Sequence, residues 1–173
     1  MEENKIVSPQ IKGIIIALII IILGIAGYYS GLGFNPGYQW AINGVMVIAL
    51  IFACIHFAKQ KEGNVTFGKV FLHGFMTTLV ITAIVLIYVI LSFTVLFPEM
   101  REKIYEMQME AMEKQGMDSE KMEQAGNMMK RFFWPIMIMT VVFGNLIIGC
   151  IASLIGAAFA KKNKVNPVDQ FPR

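Results

Sequence analysis

The stretch VFLHGFMTTLVITAIVLIYVILSFTVLF, Val70 to Phe97, runs 28 residues without an Asp, Glu, Lys or Arg. About 20 apolar residues suffice to cross a hydrocarbon core of ~30 Å, and 28 helical residues reach roughly 42 Å at ~1.5 Å each. The stretch therefore reads as a transmembrane helix long enough to tilt or to project beyond the bilayer. The segment after it has the opposite character. Pro98 to Arg131 is polar and acidic, and it holds eight of the 13 methionines of the chain, from Met100 to Met129.

Downstream, Phe132 to Ala160 is a second long apolar stretch, with Pro135 near its start. Upstream lie two shorter ones, Gly13 to Tyr29 and Tyr38 to Ala58. The link between them, Ser30 to Gly37, contains the turn formers Gly31, Gly33 and Asn35-Pro36-Gly37, so the first two spans should form a tight antiparallel hairpin. The first span should be retained rather than cleaved, because Glu2 and Glu3 precede it and its apolar run exceeds the ~7–15 residues of a signal peptide. With 173 residues, 56% hydrophobic and 16% charged, the chain is too apolar for a soluble domain of its size. The expected fold is all-α. It is one polytopic membrane domain over residues 1–173, with four transmembrane helices at about 13–29, 38–58, 70–97 and 132–160 and a helical hairpin extension at about 98–131.

Within the hairpin, Pro98 suits a first helical turn. Met100, Ile104, Met107 and Ala111 recur at helical spacing, and Gly116 offers a stop. Asp118 is the expected N-cap of a second helix, whose Met122, Ala125 and Met129 continue an apolar face toward Phe132. The third and fourth spans should run on into this pair of helices. Met100, Met107, Met112, Met122 and Met129 are the candidate packing or interaction residues, forming an inner seam, while Glu99, Glu102, Glu106, Glu110 and Glu113 form a solvated face. Thioethers can hold Cu(I), but Met107 and Met109 point nearly 160° to 200° apart at ~100° per helical residue. Packing is the expectation, and no metal or cofactor is.

The net charge of +3 follows membrane topology rather than one face of a nucleic-acid-binding fold, so no nucleic-acid partner is expected. Nine basic residues (Lys5, Lys12, Lys59, Lys61, Lys69, Lys161, Lys162, Lys164 and Arg173) fall on the side of both termini, against six in the long segment. By the positive-inside rule both termini are cytoplasmic and the methionine-rich hairpin is outside. Cys54 and Cys150 lack CxxC spacing and read as small packing residues.

Val65-Thr66-Phe67-Gly68-Lys69-Val70-Phe71-Leu72-His73-Gly74-Phe75, at the entry to the third span, resembles the signature of the bacterial membrane-protein family called domain of unknown function 4199. The small-residue ending Gly149, Ser153, Gly156 and Ala157, followed by Lys161 and Lys162, is similar to it as well, as is the plan of two spans, two spans and an intervening helical loop. The resemblance covers nearly the whole chain. It implies a bacterial inner (cytoplasmic) membrane and no established activity, substrate or cofactor.

In that signature Phe67, Phe71 and Phe75 form an aromatic ridge, and Lys69 and His73, four apart, should point together near the cytoplasmic boundary. A snorkelling lysine and a hydrogen-bonded interfacial histidine are favoured over a basic pocket for an anionic head group. His56 can approach His73, but too few further ligands are at hand for a metal. Asn145, the most central polar residue of the spans, should hydrogen-bond across helices. Gly149, Ser153 and Ala157, flanked by Gly156, make a small-residue face suited to close contact within the bundle or between copies. No Asp or Glu occurs inside any span, and no nucleophile and base are paired. The expected function is a non-enzymatic interaction or accessory module of the bilayer, meeting another membrane protein or a second copy. The alternative is a small transporter or channel subunit with a polar path near Asn145.

Overall fold

The computed structural model describes residues 7–161, so the topological roles read for Glu2, Glu3, Lys5, Lys162, Lys164 and Arg173 lie outside the described residues. Among the described residues are five α-helices. Helix α1, Pro9–Tyr29, starts where Ser8 caps it: the Ser8 hydroxyl accepts the Ile11 N–H at 3.4 Å, and Pro9 occupies the first turn. The helix thus begins four residues before the apolar run and takes Lys12 into itself. Helix α2, Pro36–Gln60, is capped by Asn35, whose Oδ1 accepts the N–H groups of Gly37 at 2.8 Å and Tyr38 at 3.3 Å.

Helix α3, Phe67–Leu91, passes into a single π turn, Ser92–Leu96. It stops there rather than running on into the hairpin. Helix α4 is Met100–Lys114, and it closes at Gly116 with φ +72°, where the Met117 N–H reaches the Met112 carbonyl at 3.2 Å and the Gly116 N–H reaches Glu113 at 2.9 Å. A left-handed residue is needed at that point, and glycine alone carries no Cβ penalty there. Helix α5, Ser119–Phe159, fuses the second hairpin helix with the fourth span into 41 unbroken residues. At ~1.5 Å per residue that is roughly 62 Å, twice a hydrocarbon core.

Among the described residues, four helical segments are long and apolar enough to cross a membrane: Pro9–Tyr29, Pro36–Gln60, Phe67–Leu96 and Ser119–Phe159. The outer faces of α1 and α2 leave Ile14, Leu18, Ile22, Ile48 and Phe52 exposed. Large side chains left uncovered along a helix that is apolar all round belong in lipid. The chain is an all-α polytopic membrane protein.

Two compact units divide it, one of Met1–Val85 with Asn145–Arg173 and one of Leu86–Gly144. In the first, α1, α2, most of α3 and the end of α5 pack as a bundle. Cys54, Ala58, Val65, Val70, Ala157 and Ala160 form a core beside Phe57 and Phe71. The Tyr38 phenol donates to the Leu23 carbonyl at 2.7 Å and lies over Gly27, which ties α1 to α2. In the second unit α4 runs beside the first part of α5 and has no buried residue.

Candidate functional site

A buried lysine is the chemically unusual feature of the first unit. Lys12 is 8% exposed, and its ammonium donates to the Ala53 carbonyl of α2 at 3.1 Å and to His73 Nε2 of α3 at 3.2 Å. An ammonium has only donors, so the ring nitrogen facing it is the unprotonated one and the imidazole is neutral. His73 is 7% exposed and stacks on Phe57 with ring centroids 4.1 Å apart and planes at 8°. The Lys12 ammonium lies 5.8 Å from the centre of the same Phe57 ring. Charge inside a membrane helix is costly and marks function or a fixed partner. Here three helices converge on one cation.

In front of Lys12 opens an apolar groove of about 250 Å³, walled by Ile15, Ile16, Ala49, Phe52 and Ala53 and bordered by His56. Behind it Thr77 donates to the His73 carbonyl at 2.8 Å, and Cys54 Sγ lies 3.9 Å from the Val70 carbonyl. Among the described residues no three His, Cys, Asp or Glu side chains converge as metal ligands.

The signature residues separate rather than cluster. Lys69 is exposed while His73 is buried, and the basic partner of His73 is Lys12. Phe71 and Phe75 stack at 5.9 Å and are half-buried, and Phe67 is exposed. The small residues of α5 do converge. Gly149, Ala152, Ser153, Gly156, Ala157 and Ala160 are all buried. A Cβ on Gly149 would strike Thr78, and one on Gly156 would come within 2.7 Å of Cys54 Cβ and 3.2 Å of Ile51 Cα. A Cβ on Gly74 would meet Ser153 Oγ at 2.7 Å. This face is spent on α2 and α3 of the same chain. The hydroxyls along it bond to their own helices, Ser153 to the Gly149 carbonyl at 2.6 Å and Thr78 to Gly74 at 3.1 Å.

Asn145 is half-buried, lines neither of the two recesses described, and forms no cross-helix hydrogen bond among the described residues. The second recess belongs to the other unit. It measures about 370 Å³ and is lined by Pro98, Arg101, Tyr105, Met129, Lys130 and Phe133, among others. Arg101 lies 5.0 Å from the Phe133 ring centre, and Lys130 lies 4.4 Å from that of Tyr105. A Cβ on Gly126 would meet the Tyr105 hydroxyl at 2.7 Å.

The hairpin seam is therefore turned from its expected line. Met107 and Ala111 are exposed, whereas Ile104, Tyr105, Met109 and Met112 are half-buried on α4 and face-matched by half-buried Met122 and Met129 on α5. The Tyr105 ring lies in the space beside Gly126, on the half-buried side of α4. Met100 is half-buried at the start of α4.

By sequence alone Lys12 is a charge flanking the first span and Phe57 an apolar residue of the second. The available signal was Ser8-Pro9, a cap and first-turn pair that draws the helix start back past Lys12. No curated protein and no solved structure matches this chain. A family model described as Protein of unknown function (DUF4199) matches residues 12–162, and the chain belongs to that family.

Proposed function

We propose that the protein is a non-enzymatic interaction or accessory module of the bacterial inner (cytoplasmic) membrane, with both termini cytoplasmic and the α4–α5 pair as the surface that meets another membrane-protein chain, a second copy included. The observation that carries this reading is the composition of that pair and its link: α4 buries none of its 15 residues, and Met107 on α4, Met117 in the link and Met128 on α5 stay exposed. Flexible thioethers on an uncovered helix suit adaptable contact with another protein. The excess of lysine on the terminal side supports the orientation.

The test is crosslinking in native membranes from full-length protein carrying Met107→Cys or Met117→Cys. Adducts heavier than one chain, lost when the cysteine is moved to the lipid-facing position Ile22, are expected. Products confined within one chain would remove the reading.

A further inference from the structure

The two protein partners of Lys12, a backbone carbonyl and an imidazole nitrogen, supply no counter-charge. Two of its three N–H donors are taken by the Ala53 carbonyl and His73 Nε2. Lys12 is also one of the residues that line the groove. His56 borders the same groove. Lys12 sits in the first turn of α1 and His56 in the closing turns of α2, so both mark the end of the α1–α2 pair opposite its loop. That end is where spans of this length meet the polar head groups.

We propose that this groove binds one anionic phospholipid, with its phosphate on the third N–H of Lys12 beside His56 and an acyl chain along Ile15, Ile16, Ala49 and Phe52. Charge selects the head group: a buried cation left without a counter-charge is destabilising, and a phosphate supplies both the charge and an acceptor. The walls select the tail. Ile15 and Phe52 are 53% and 67% exposed, so the groove opens sideways onto lipid rather than enclosing a solute. Its size agrees: about 250 Å³ falls below the ~300–1,000 Å³ that buries a whole drug-sized ligand. A lipid held by head group and upper chain, with the rest in the bilayer, fits such a volume. Basic recesses between transmembrane helices on the cytoplasmic side are suited to head groups of this class. This inference is independent of the role given to α4 and α5.

The experiment uses full-length protein in neutral detergent, titrated with phosphatidylglycerol, with phosphatidylcholine of the same chains, and with inorganic phosphate. Native mass spectrometry counts bound lipid, and thermal melting follows stability. One phosphatidylglycerol per chain is expected, with at least tenfold weaker binding of phosphatidylcholine and no shift with phosphate alone. Lys12→Met should weaken phosphatidylglycerol binding at least tenfold. Because that variant also removes two hydrogen bonds, Ala49→Leu provides a second reading: it leaves Lys12 in place, narrows the groove and should weaken binding to a similar degree. Equal binding of the two lipids, unchanged binding in both variants, or an equal melting shift with inorganic phosphate would each overturn the proposal.

Discussion

Helix α5 packs by two different rules along its 41 residues. From Asn145 onward, in the first unit, six small residues are buried between Gly149 and Ala160, and the neighbouring helices come close enough that a Cβ has no room. Before Gly144, in the second unit, Gly126 is the only described residue of the helix that is buried, and larger side chains make the contacts. In lipid, burying another leucine gains little, because hydrocarbon already surrounds it. Stability there comes from close backbone approach and dispersion, which small residues allow. The second unit instead relies on aromatic rings, cations over their faces and half-covered methionines, each worth about 1 kcal/mol or less where exposed. One part of α5 is locked and the other is adaptable.

The sharpest way to break this contrast is to add bulk at a locked position. Gly156→Leu drives a side chain into Cys54 and the Ile51 backbone. It should cost about 3 kcal/mol, the upper range for overpacking, read as a large fall in the melting temperature of the purified protein. Gly144→Leu is the control, since nothing lies within 4 Å of a Cβ there. If both variants melt alike, the small-residue face is not what holds the first unit together.

A second test concerns the polar contact inside the first unit. His73→Leu leaves Lys12 with the Ala53 carbonyl as its remaining described acceptor and removes the ring stacked on Phe57, which should cost about 1–3 kcal/mol. Lys12→Met combined with His73→Leu should recover part of that loss, because two groups removed together leave no stranded charge. Failure of the double variant to exceed the single His73→Leu would mean that the contact contributes as packing and not as charge accommodation.

The contrast between the two rules was half legible in the residues themselves. Four apolar runs and a polar interruption are one-dimensional facts, so the spans could be counted, and the four-residue recurrence from Gly149 to Ala157 named the locking face. Whether that face met its own chain or a second copy required knowing where Thr78 and Cys54 lie. The Lys12–His73 contact spans 61 residues of sequence and is made by tertiary packing alone. Its one local sign was the Ser8-Pro9 helix start, which sets Lys12 inside α1. In the hairpin, helical periodicity located α4 but not its rotation, because methionines occur on several sides of it and the seat of Tyr105 against Gly126 is a tertiary contact. The end of α3 was hidden for another reason. Its apolar run continues to Phe97, while the backbone widens into a π turn at Ser92, and hydropathy does not register hydrogen-bond spacing.

The smallest effect is the most diagnostic, because it makes one change on one helix under both rules. Gly126→Ala gains about 1 kcal/mol of helix propensity and meets the far end of Tyr105, with the hydroxyl at 2.7 Å and Cε2 at 3.2 Å. A phenol on half-exposed α4 can swing aside at the loss of part of its contact with Lys130. The two terms nearly offset, so stability should move by less than about 1 kcal/mol, with faster amide exchange confined to the α4–α5 pair. Gly156→Ala gains the same propensity but meets Cys54 Cβ at 2.7 Å and Ile51 Cα at 3.2 Å, atoms that only a backbone shift can relieve. Its net effect should be destabilising by about 1–2 kcal/mol. Opposite or clearly unequal responses to one methyl group would establish that the division along α5 is mechanical. Equal responses would mean that the close approach at Gly156 relaxes as readily as the tyrosine does.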